Sequence, residues 1–73
     1  MGIMLKLDHK KVKALREKLD ISQREAGEKA GFTKNPSQRW NTYESGQSVN
    51  VELETLWRIG KALGIDGRTL IEG

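Results

Sequence analysis

Seventy-three residues suffice for one domain around one core, and a chain this short buries only about 60% of the surface its unfolded form exposes. The sequence has no cysteine, which excludes a disulfide framework, a zinc ribbon and a thiol nucleophile; apolar packing alone must hold the core, as suits a reducing cytoplasm. The net charge of +3 hides an asymmetry, because residues 1–39 carry ten Lys and Arg against five Asp and Glu, whereas residues 40–73 carry three against five.

That basic first half is the kind of surface that neutralises phosphates and releases their counterions, so a polyanion such as DNA is its natural partner. No apolar run is long enough to cross a bilayer, and residues 1–8 lack the long apolar stretch of a secretory signal, so the expected location is cytoplasmic. Repeats and low-complexity tracts are absent, and the whole chain, 1–73, reads as a single domain. β-Branched residues are sparse and no stretch alternates apolar with polar over a strand's length, so the expected class is all-α.

In chain order, a first helix is predicted after Asp8, which caps its free amides, running to about Leu19 with Val12, Leu15 and Leu19 on one stripe and Leu5 and Leu7 covering its entry. Ser22 and Glu25 have capping-box spacing, with Ile21 placed to staple onto Ala26, so a second helix spans about 23–30 and stops at Gly31. A loop follows from Phe32 to Asn35. Proline suits a first helical position and pushes the residue before it out of helical geometry, so Asn35 is expected to cap a third helix over about 36–45, ending at Gly46. After a loop over 46–51, a fourth helix is predicted from Glu52 to Leu63 with Leu53, Leu56, Ile59 and Leu63 on one face. Asp66 caps a last short helix holding Leu70 and Ile71. The expectation is a compact bundle of five short helices.

The third helix has two unlike faces. At 100° per residue Pro36, Trp40 and Tyr43 fall together and must face the core, while Gln38, Asn41, Thr42 and Ser45 fall opposite, flanked by Ser37 and Arg39. A solvated helix face would favour Lys and Glu. Amides and hydroxyls instead both donate and accept at base edges, with Asn and Gln matching adenine in bidentate fashion. Gly27 adds to this, because glycine inside a helix costs about 1 kcal/mol relative to alanine and so predicts a close approach by the next helix. Gly27 at the crossing, Gly31 in the turn and Trp40 as anchor are what two steeply crossed helices need.

These residues resemble the Cro and phage-repressor (XRE-type) family of helix-turn-helix regulators over about Leu7 to Ile71. The motifs that carry the resemblance are Leu15-Arg16-Glu17, the run from Ile21 to Phe32, Trp40-Asn41-Thr42-Tyr43-Glu44-Ser45-Gly46, and the run from Leu53 to Ile65. The resemblance implies a lambda-repressor-like fold and a sequence-specific transcriptional regulator, a repressor, with the third helix in the major groove of double-stranded DNA. By position it implies that Ser37, Gln38, Asn41 and Thr42 read bases. Gln23, at a helix start where amides and dipole favour an anion, would hold a phosphate. Arg24, Arg39, Ser45 and Gln47 would clamp further phosphates and set register. Lys34, lifted on the turn before the third helix, is expected from its charge and place, not from the resemblance, to add one more. Arg16 and Glu44 would form an internal salt bridge between helices one and three. The chain departs from the pattern in having eleven residues between Gly31 and Tyr43 where the family usually has eight; the three extra residues are assigned to the turn at Thr33–Asn35.

A homodimer reading half-sites about 34 Å apart is expected, with Ile65, Leu70 and Ile71 as its apolar surface and Trp57 as a further contact. His9 has no cysteine or second histidine with which to share a metal, and no metal or other cofactor is expected. No nucleophile–base pair stands out, so an enzyme is the class discounted most. The rival reading is a protein-interaction module on the same fold, such as an antitoxin or adaptor.

Overall fold

Asp8 marks the point where extended backbone gives way to helix, its carboxylate accepting a hydrogen bond from the Lys11 amide at 3.2 Å. The computed structural model describes residues 4–46 and 50–72. In chain order the elements are strand β1 (Met4–Lys6), helices α1 (His9–Lys18), α2 (Gln23–Lys29) and α3 (Pro36–Glu44), strand β2 (Asn50–Glu52), helix α4 (Leu53–Leu63) and a 3-10 helix (Gly67–Leu70).

The fold is therefore mostly helical with a small sheet, which corrects the all-α, five-helix expectation in two places. β1 and β2 pair antiparallel, with Leu5 opposite Val51. Three-residue strands are too short to leave an alternating pattern in sequence. What they do is carry Val51, buried in the core, and bring the chain to Leu7, which is fully buried. The last segment winds into one 3-10 turn, capped by Asp66 through the Arg68 amide at 3.0 Å, and Ile71 lies beyond it, bridged antiparallel to Leu7.

The core is built from Leu7, Val12, Ala26, Trp40, Leu56, Ile59, Leu63 and Leu70, with Phe32 and Val51 at its margin. Two stripe residues lie outside it. Leu19 caps the C-terminus of α1 and Leu53 opens α4, and both are about half exposed, because the last and first positions of short helices overhang the core.

The 3-10 helix seats directly on α4. A Cβ on Gly60 would stand 2.7 Å from the Gly67 nitrogen, and one on Gly67 would stand 2.7 Å from the Leu56 carbonyl oxygen. Because the backbones meet this closely, Leu70 is fully buried and Ile65 and Ile71 are partly covered. Leu70 is thus a core residue and not the dimer surface expected of it, and Ile71 is engaged by its own chain.

Candidate nucleic-acid interface

The interface is built on the crossing of α2 and α3. Ser22 caps α2 by accepting from the Glu25 amide at 3.0 Å. Gly31, at φ +86°, turns the chain out of the helix. Phe32, Thr33, Lys34 and Asn35 form the connecting loop, and Pro36 starts α3. Asn35 differs from the expectation. It occupies the N-cap position in a left-handed conformation (φ 50°, ψ 55°), and its side chain makes no capping bond. Pro36 disfavours the right-handed region for the residue before it, and asparagine is among the side chains that best tolerate the left-handed one.

Gly27 is where the helices touch. A Cβ there would lie 2.3 Å from the Pro36 carbonyl oxygen, so any side chain would force α3 away from α2. Thirteen positions later Trp40 drives its ring into the core with no exposed surface, while Tyr43 is half-buried and tilted against Phe32, ring centroids 5.8 Å apart.

Beside Trp40 lies Glu44, the buried charged side chain of the core margin. One carboxylate oxygen accepts from Arg16 Nε and Trp40 Nε1, the other from Arg16 Nη2 at 3.2 Å and Gln23 Nε2 at 3.2 Å. Arg16 also donates through Nη1 to the Ile21 carbonyl at 2.8 Å. Burial pushes the Glu44 carboxyl upward, and the hydrogen bonds from Arg16, Trp40 and Gln23 outweigh it, so the group is held below the usual carboxylate range. The Arg16 guanidinium is raised, first by its hydrogen bond to Glu44. One carboxylate therefore ties α1, α2 and α3 together with its hydrogen-bonding capacity filled.

This hub changes the part played by Gln23. Its Nε2 donates both to Glu44 and to Asn41 Oδ1, the latter at 3.1 Å. An amide nitrogen has two hydrogens. With both engaged, the side chain has only its carbonyl oxygen to offer, which repels a phosphate. In this arrangement Gln23 orients Asn41 by holding its Oδ1.

Gln38 and Asn41 are exposed on the outer ridge of α3, with Ser37 exposed on its α2 flank. Thr42 is half-buried and its hydroxyl donates to the Gln38 carbonyl at 3.1 Å, while the Ser45 hydroxyl donates to the Thr42 carbonyl at 3.3 Å. With its hydrogen engaged, Thr42 has its methyl group and an oxygen lone pair left. A cleft of about 590 Å³ runs along this flank between Gln23 and Arg24 on α2 and Asn35, Ser37, Gln38 and Asn41. Arg24 is exposed and pairs loosely with Glu28 at 3.7 Å. Arg39 sits on the opposite flank, its guanidinium carbon 4.5 Å from the centroid of the Phe32 ring, and Lys34 is exposed on the loop next to it. Gln47 lies outside the described residues. Among those described, His, Asp and Glu side chains do not gather in threes where a metal could be held, and no helix is long and apolar enough to cross a membrane.

Comparison of the chain with protein-family models, curated proteins and solved structures finds no match. The functional reading accordingly rests on the geometry of α2 and α3.

Sequence reasoning missed two features here. The first is the pair of bonds from Gln23 to Glu44 and Asn41, whose partners come from α3 and cannot be read from spacing within α2. Gly60 was overlooked although it carries the same signal as Gly27, a glycine inside a helix, and the same inference would have found the close approach of the 3-10 helix.

Proposed function

We propose that this chain is a sequence-reading module for double-stranded DNA, a transcriptional regulator of the Cro and phage-repressor type acting as a repressor in the cytoplasm, with α3 laid in the major groove. The observation that carries the reading is the division of α3. Trp40 has no exposed surface, Gln38 and Asn41 are exposed on the far side, and Asn41 is preset by Gln23. An α-helix is about as wide as the major groove, and amides at its outward ridge match adenine edges there. Gln38 and Asn41 read bases, Ser37 and Thr42 contribute at the margins, and Arg24, Lys34, Arg39 and Ser45 hold phosphates.

A single domain makes few contacts, so two copies are expected to share a near-palindromic site with half-sites about 34 Å apart. Among the described residues Met4, Leu19, Leu53 and Trp57 are large apolar side chains with exposed surface. The face proposed for the second copy is the outer side of α4 at Leu53 and Trp57, the latter 62% exposed, with part-covered Ile65 beside it. That same exposed tryptophan is what favours the rival reading, a module whose main partner is another protein.

Selection of bound fragments from random duplex DNA tests the proposal. The expected outcome is an enriched motif whose affinity falls steeply with salt. Gln38→Ala is expected to cost about 1–3 kcal/mol at one base position with the fold unchanged. Failure to enrich any motif, or binding insensitive to both salt and Gln38, would leave the protein-partner reading standing instead.

A further inference from the structure

A helix lying in the major groove has a phosphate wall on each side, because the groove is about 12 Å wide and the helix nearly fills it. The α2 flank of α3 meets one wall through Arg24. The other flank contains a second set of cations from three separate elements.

There, a groove of about 240 Å³ is bounded by Lys34, Asn35, Gln38, Arg39 and Thr42. It shares Lys34 and Arg39 with an adjoining groove of about 340 Å³ whose far wall is α4, at Thr55 and Arg58. The two arginines are held, not waving. Arg39 lies on the Phe32 ring and donates to the Tyr43 hydroxyl at 3.3 Å. Arg58 reaches back from α4 to the Gly31 carbonyl at 3.3 Å and also pairs with Glu54 at 3.1 Å. A guanidinium has five N–H donors, so each keeps several for a further acceptor. Both are anchored through uncharged groups of the loop, Phe32 and Gly31, at the end of the turn that sets the α2–α3 crossing. The carboxylate in this wall is Glu54, which would face any anion that entered.

We infer that Arg58, on α4, forms with Lys34 and Arg39 a clamp for the phosphodiester backbone of the DNA strand opposite the one that faces Arg24. The module then straddles the groove, and α4, which contributes nothing to base reading, fixes how deep and at what tilt α3 sits. The inference rests on the groove-reading role of α3, and it adds a contact from an element that the sequence left out of the interface. As a solvated pair alone, Glu54 and Arg58 would stabilise the helix by only a few tenths of a kcal/mol, and removing either charge would leave DNA binding alone.

The test uses the full chain, the selected duplex and an unrelated duplex of equal length, with affinity followed against salt. Arg58→Gln is expected to weaken binding to both duplexes alike, about eightfold at 0.1 M salt, and to reduce the slope of log affinity against log salt by about one. Arg58→Lys is expected to keep the slope. Glu54→Gln, which removes a carboxylate from the anion's path and leaves Arg58 in place, is expected to tighten binding several-fold without altering the selected motif. Thermal melting of each variant identifies a mere loss of fold, and should Arg58→Gln unfold the chain, Glu54→Gln still decides. Unchanged affinity and slope in Arg58→Gln, or unchanged affinity in Glu54→Gln, overturns the clamp while leaving base reading by α3 intact. A wild-type chain that binds no duplex at any salt overturns both.

Discussion

Around Glu44, helices α1, α2 and α3 meet over a buried carboxylate that accepts four hydrogen bonds from Arg16, Gln23 and Trp40. Around Leu70, α4 and the 3-10 helix meet over aliphatic side chains and two glycines whose backbones nearly touch. The first junction is directional, since a guanidinium or an indole N–H satisfies a carboxylate only over a narrow range of angles, whereas aliphatic contacts tolerate small slides. The directional junction lies beneath α3, the helix proposed to read bases. The side chains proposed to read DNA stand on α3, and a tilt of α3 would move Gln38 and Asn41 together. The C-terminal half holds no base-reading side chain, and the part inferred for α4 is a backbone contact through Arg58, not the fixing of Gln38 and Asn41.

Removing one partner of the directional junction is the largest expected break. Glu44→Ala strands Arg16 and the Trp40 N–H in a buried site, which costs about 3–5 kcal/mol. A chain of 73 residues has of the order of 4–11 kcal/mol in total, so the variant is expected to be partly unfolded at ambient temperature. Urea unfolding followed by tryptophan fluorescence measures it. A loss below 1 kcal/mol would mean that the carboxylate is solvated and that the contrast between the two halves is false.

The apolar junction should respond differently. Leu70→Ala leaves a cavity beneath a turn close to the chain's end, where neighbours relax more readily, and the expected loss is at the lower end of about 2–5 kcal/mol. At temperatures where the variant stays folded, its DNA preference should be that of the wild type. An altered preference would show that the packing of the 3-10 helix on α4 reaches the base-reading ridge of α3.

Those two junctions were legible in the sequence to very different degrees. The helix boundaries came from local chemistry, and Asp8, Ser22, Gly31 and Pro36 stand at or next to the ends predicted for them, because caps and turns act within four residues. Gly27 announced the α2–α3 crossing because a glycine inside a helix requires a reason. The two strands stayed hidden since Leu5 and Val51 pair across 46 positions and each strand is only three residues long. At the interface, the outward ridge of α3 followed from a helical wheel, and the pairing of Arg16 with Glu44 was expected only through a family resemblance. The bonds of Gln23 to Glu44 and Asn41 and the reach of Arg58 to the Gly31 carbonyl stayed hidden for one reason in common: each partner lies outside the residue's own helix, which no single-helix pattern contains.

The same carboxylate supplies the smallest and most diagnostic effect, its dependence on pH. Glu44 is held below its ordinary value of 4.5 in the folded chain, so as the pH falls the unfolded chain takes up this proton first. The folded state then binds fewer protons than the unfolded one, and stability falls with falling pH. The contribution is present in full above about pH 4.5 and disappears as the pH drops through the lower, folded-state value, so Glu44 adds no slope between pH 7 and pH 5. Comparing melting temperatures of the wild type and Glu44→Gln isolates this group, because every other carboxylate titrates in both. The gap between the two curves is expected to stay constant above pH 5 and to close below pH 4.5. Curves that remain parallel into that acid range would show that the hub does not depend on the Glu44 charge, and with it would go the electrostatic half of the reason α3 sits where it does.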